Sequence, residues 1–101
     1  MPAAIQLEES ETPSGWRFIG EVESGEIRRR IEMVVSWADY EYWGRGLVRP
    51  IDVARSLLRV AIRTETLNEL PEKFDAARLR RTVERFDELV RAELGFEELS
   101  G

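Results

Sequence analysis

"WRFIGEVESGEIRRRIEMVV", Trp16 to Val35, decides the fold. Trp16, Phe18 and Val22 alternate with mostly polar residues, and so do Ile27, Ile31, Met33 and Val35. Side chains of a strand point alternately to the two faces of its sheet, so this period of two marks two strands, each with one apolar side. Ser24-Gly25 between them predicts a two-residue hairpin turn, with glycine free to take positive φ. That turn sets a register in which Val22 faces Ile27, Phe18 faces Ile31 and Trp16 faces Met33. On the other side Glu21 faces Arg28 and Arg17 faces Glu32. Each such pair contributes about 0.2–1 kcal/mol, and a slip of one residue would turn both faces over. The same register places Arg28 and Arg30 on the solvent face beside Glu21, and Arg29 opposite Gly20. The "RRR" run therefore reads as a solvated, partly paired strand face rather than a nucleic-acid contact.

Toward the N-terminus, residues 1–14 are weakly patterned, although the Ile5–Leu7 alternation can extend the hairpin to three strands. Pro13 and Gly15 close that segment as a loop. Toward the C-terminus the period changes from two to 3.6. Ser36 caps a short helix ending at Gly44. Pro50 opens a long helix in which Ile51, Ala54, Leu58 and Ala61 recur at helical spacing, ending near Arg63. "TETLNELPEKF" is a connector with one helical turn. Asp75 then caps a second long helix carrying Leu79, Val83, Phe86, Val90 and Leu94, stopped by Gly95 with Phe96 folded back in a Schellman motif. The pattern predicts a single α+β domain over 15–96. An antiparallel hairpin is followed by one short and two long helices packed on one sheet face, and 97–101 form a frayed tail.

Composition restricts the chemistry. The 101 residues suit one domain with a modest core. Cysteine and histidine are both absent, which removes disulfides, thiolate chemistry, the commonest general base and the commonest metal ligand. The N-terminus has no basic and apolar signal-peptide pattern, and no apolar run is long enough for a bilayer, so the expected setting is cytoplasmic with no membrane partner. Net charge is −5. Residues 1–26 and 64–101 are acidic and 27–63 are basic, so a local basic surface coexists with an acidic whole.

A serine nucleophile would lack its base, and the acids of the last helix alternate with arginines in i,i+4 pairs such as Arg80–Glu84 and Asp87–Arg91. No enzyme is expected, the one exception being a carboxylate-only enzyme, which would need an acid of raised pKa in a cleft. No cofactor, metal or small-molecule site is expected. "GRGLVR", 44–49, lacks the third glycine of a phosphate loop, and Asp52 opposes an anion there, so it reads as a connection.

The candidates that remain are aromatic and cationic. "SWADYEYWGRG", 36–46, holds four large aromatics. Trp37 continues the inward phase of Ile31, Met33 and Val35 and is expected in the core, with Tyr40 beside it. Tyr42 and Trp43, next to Arg45 and Arg49, have the composition of an interface hot spot, and Trp43 can equally pack on the first long helix. Arg55, Arg59 and Arg63 form a ridge along that helix. The expectation is a small, non-catalytic interaction module binding a protein partner, or a second copy of itself, through Tyr42, Trp43, Arg45, Arg49, Arg55, Arg59 and Arg63. The alternative is a nucleic-acid-binding regulator using Arg28 and Arg30 with the ridge. In outline it resembles a ribbon–helix–helix, but the preceding strand already pairs and the connector is too long.

Overall fold

The computed structural model describes residues 4–96, so the tail at 97–101 lies outside the described residues. The chain is an α+β fold in which three of the four strands precede the helices. β1 (Ala4–Thr12), β2 (Gly15–Ser24) and β3 (Ile27–Ser36) form an antiparallel meander. α1 (Trp37–Gly44) and α2 (Pro50–Arg63) follow, then a 3₁₀ turn (Thr66–Glu69), β4 (Lys73–Asp75), α3 (Ala77–Thr82) and α4 (Phe86–Leu94). The sheet order is β1-β2-β3-β4, with β4 parallel to β3. No helix among the described residues is long and apolar enough to cross a membrane.

The core follows the predicted parity. Phe18 and Val22 of β2 and Ile31, Met33 and Val35 of β3 are buried, with Ile5 and Leu7 of β1 packed against them. Against this face lies α2, whose Val53, Ala54, Leu57, Leu58, Val60 and Ala61 are buried. Burying one leucine or valine side chain contributes roughly 1.5–3 kcal/mol, so this sheet–helix interface holds the domain together. α4 adds Phe86 and Val90. Its end has the expected Schellman bond, from the Phe96 N–H to the Arg91 carbonyl, with Gly95 at φ 84°.

The structure corrects four readings. The hairpin turn is Gly25-Glu26, because Gly25 takes φ 62° at the first turn position, where a type II′ hairpin places glycine. Moving the turn by one residue moves the register by two. Phe18 now faces Met33, Trp16 faces Val35, Glu23 faces Arg28 and Glu21 faces Arg30. A shift of two preserves every side chain's face. Arg29 lies opposite Val22 rather than Gly20, on the core side. There its guanidinium donates to the Leu67 carbonyl and, at 2.9 Å, to the Leu70 carbonyl, tying the 3₁₀ turn to the sheet.

A second correction is the added strand. β4 buries Phe74 and leaves Lys73 and Asp75 exposed. It is held by the Glu32 N–H to the Glu72 carbonyl and the Ala76 N–H to the Val34 carbonyl, both 2.8 Å. Third, the last long helix is two. Val83 is extended (φ −102°, ψ 122°) and Arg85 takes φ 59° before α4 begins. The break places Leu79 and Phe86 on two separate helices, and both are buried in the core. Asp75 still accepts from the Ala77 N–H at 2.9 Å.

The fourth correction concerns α1. Ser36 caps it as expected, its hydroxyl accepting from the Asp39 N–H at 3.1 Å. The left-handed end residue is Arg45 (φ 54°), whereas Gly44 is a buried helical residue. A Cβ at Gly44 would stand 3.0 Å from Val53 Cγ2, so glycine serves here to let α1 approach α2. Trp37, expected in the core, is 53% exposed, and Trp43 is 3% exposed. The strand phase stops at Ser36. From Trp37 each residue turns by about 100° instead of 180°, which carries Trp37 outward and Trp43 inward.

Candidate interaction surface

The C-terminal half of α1 is a structural joint. The Trp43 indole sits edge-on to Phe86, with ring centroids 5.9 Å apart, and its Nε1–H donates to Asp87 Oδ1 at 2.8 Å. Arg80 of α3 meets the same carboxylate at 3.2 Å and Asp39 at 3.2 Å. Its guanidinium lies 4.7 Å from the Tyr42 ring centroid and 5.8 Å from that of Trp43. One arginine therefore ties α1, α3 and α4 together, and the expected i,i+4 partner Glu84 lies past the end of α3. Trp43 is thus closed to a partner, and the outer side of Tyr42 is half-exposed with Arg80 across its ring.

The remaining predicted cations are dispersed. Arg45 lies over Phe96 at 5.1 Å. Arg49 pairs with Asp52 at 2.9 Å, and Arg55 reaches the same carboxylate at 3.7 Å. Arg63 pairs with Glu93 of α4 at 3.2 Å. Among the described residues Arg59 alone of this ridge makes no ion pair. The ridge is largely neutralised by Asp52 and Glu93, the second of which comes from an element that periodicity along α2 could not bring near.

The sheet face away from the helices carries Arg28 and Arg30 interleaved with Glu21, Glu23 and Glu32. Arg28 Nε donates to Glu23 Oε1 at 2.6 Å. That hydrogen bond and the charges of Glu23 and Glu21 hold the Arg28 guanidinium above its usual pKa, firmly protonated. Arg17 lies 3.4 Å from Glu32. Beside this patch a polar hollow of about 390 Å³ is lined by Gln6, Glu8, Ile19, Glu21 and Arg30, among others. The charges alternate in sign, which gives no continuous basic field for a phosphate backbone.

A different group of residues forms the open surface. Trp16 of β2 is half-buried and makes an edge contact with Tyr40 (4.7 Å) and a tilted contact with exposed Trp37 (6.3 Å). The Tyr40 hydroxyl donates to the Val48 carbonyl at 2.6 Å, and the Trp37 N–H donates to the Ser14 carbonyl at 3.0 Å. The cluster is therefore fixed from β2, α1 and the loops at either side. Leu47, 77% exposed, precedes Val48 in the loop between α1 and α2.

Beside the cluster runs the sheet's edge. β1 pairs with β2 through a two-residue turn that joins Thr12 and Gly15, and Glu11 faces Trp16 across the ladder. In such a hairpin the closing pair exchanges both backbone bonds and alternate pairs follow it. Ile5, Leu7, Glu9 and Glu11 consequently turn their N–H and C=O groups outward, and no strand among the described residues pairs with them. Glu8, Glu9 and Glu11 are exposed and form no ion pair among the described residues. The sequence signal for this surface was present in Ile5–Leu7 and Trp37. The change from strand to helix at Ser36 hides it, because strand parity continued past that residue points Trp37 inward. Comparison with protein-family models, with characterised proteins and with solved structures finds no significant match for this chain.

Proposed function

We infer that the protein is a small, non-catalytic, cytoplasmic interaction module that binds a protein partner through the Trp16–Trp37–Tyr40 cluster and the neighbouring edge of β1. The observation that carries this reading is the exposure of Trp37. An indole held half in solvent on a fixed aromatic base loses little side-chain freedom on binding, and tryptophan is the residue most enriched at interface centres. Against the nucleic-acid alternative stand Glu23 and Glu21, which face Arg28 and Arg30 across the ladder, and the neutralised α2 ridge.

Partner capture at low and high salt with wild type, Trp37→Ala and Tyr42→Ala tests the proposal. Retention of one defined protein by wild type and Tyr42→Ala, with loss on Trp37→Ala at an unchanged thermal midpoint, is expected. Capture of nucleic acid that washes off with salt would overturn it, as would equal capture by wild type and Trp37→Ala.

A further inference from the structure

We propose that the partner presents an extended segment with lysine or arginine at alternate positions, which adds to the sheet as a fifth strand alongside β1. This deepens the interaction-module reading and rests on it.

Three features fit together. The outward N–H and C=O groups of Ile5, Leu7, Glu9 and Glu11 form a ladder with no partner strand among the described residues, and main-chain bonds along such an edge supply sequence-independent affinity. Charge supplies the selectivity. β1 carries Glu8, Glu9 and Glu11, has no basic residue, and makes no ion pair among the described residues that would neutralise it. On the helix side of the edge Ile5 and Leu7 are followed by Glu9 and Glu11, because residues two apart share a face. An added strand meets an apolar stretch and then two carboxylates on that side. A cation that pairs with Glu11 also comes beside Trp16, whose indole attracts a cation placed over its ring face.

A second copy of this chain is a poorer occupant. Two β1 strands side by side would bring six carboxylates together with no cation between them, a like-charge arrangement that keeps edges apart. Acids on an open edge thus act in two ways, repelling copies of the chain while selecting a basic strand.

The probe is a nine-residue synthetic peptide alternating threonine and arginine, with a control in which glutamate replaces arginine. Binding is read on the ¹⁵N-labelled full chain by amide shifts and hydrogen exchange. The arginine peptide is expected to shift and protect the Leu7, Glu9 and Glu11 amides and to shift the Trp16 indole. Binding weakens with salt, and the glutamate peptide leaves the spectrum unchanged. Glu9→Lys with Glu11→Lys, both at exposed positions, is expected to weaken the arginine peptide roughly tenfold and to admit the glutamate peptide. Glu9→Pro, which removes an outward donor without touching the β2 ladder, is expected to weaken the arginine peptide more than Glu9→Gln does.

Equal binding of the two peptides overturns the proposal, as do shifts confined to residues away from β1. Concentration-dependent protection of the same amides in the absence of peptide overturns it in favour of a second copy. If neither peptide binds but Trp37→Ala still abolishes partner capture, the strand proposal fails and the interaction surface stands. If Trp37→Ala leaves capture intact, the surface itself fails.

Discussion

Trp37 and Trp43 occupy opposite ends of one eight-residue helix and have opposite fates. Trp43 is covered on every side. Its ring meets Phe86, its N–H meets Asp87, and Arg80 bridges that carboxylate to Asp39. Trp37 rests on Trp16 with more than half its surface in water. The contrast teaches that aromatic richness alone does not mark an interface. What separates the two is the supply of neighbours: α3 and α4 close over one end of α1, whereas at the other Trp37 is held by its ring contact with Trp16 and its backbone bond to Ser14.

Substitutions at the two ends of α1 and in the sheet should differ widely in cost. Trp43→Ala should cost the most, about 3–5 kcal/mol by urea unfolding, because it opens a large cavity and leaves Asp87 short of a donor. A loss below about 1 kcal/mol would mean that the joint is not packed as described. Gly20→Ala comes next, at about 1–3 kcal/mol, since a Cβ there would fall 1.8 Å from the Gln6 carbonyl oxygen and force β1 from β2. An unchanged midpoint would remove β1 from the sheet.

Arg80→Ala should destabilise by about 1 kcal/mol, the sum of partly exposed ion pairs and ring contacts, and should increase the solvent exposure of Tyr42. Trp37→Ala should lie within about 0.5–1 kcal/mol of wild type, as exposed side chains do. A Trp37→Ala loss as large as that of Trp43→Ala would erase the distinction between scaffold and surface.

Much of the fold was legible because its strongest signal is parity. The alternation of Phe18, Val22, Ile31, Met33 and Val35 identified the buried face, and that assignment survives the two-residue register shift. "VESGEI" cannot specify the turn by parity alone, since Ser24-Gly25 and Gly25-Glu26 give the same faces. The helix break at Val83–Arg85 has neither glycine nor proline to announce it. A non-glycine residue in the left-handed region costs roughly 1–2 kcal/mol, which the separate burial of Leu79 and Phe86 offsets. β4, three residues long, is too short to show a period. The site was the least legible part. Trp37 required knowing where the strand ends, and Glu93 and Asp87 reach Arg63, Trp43 and Arg80 only through the tertiary fold.

Among the described residues the acidic edge of β1 is open beside the Trp16–Trp37 cluster. Amide hydrogen exchange of the isolated chain at low concentration tests it most directly. The amides of Gln6, Glu8 and Ser10, turned toward β2, should exchange slowly, and those of Leu7, Glu9 and Glu11 should exchange fast. Equal protection of both sets, persisting on dilution, would show that the edge is already covered and would contradict the account.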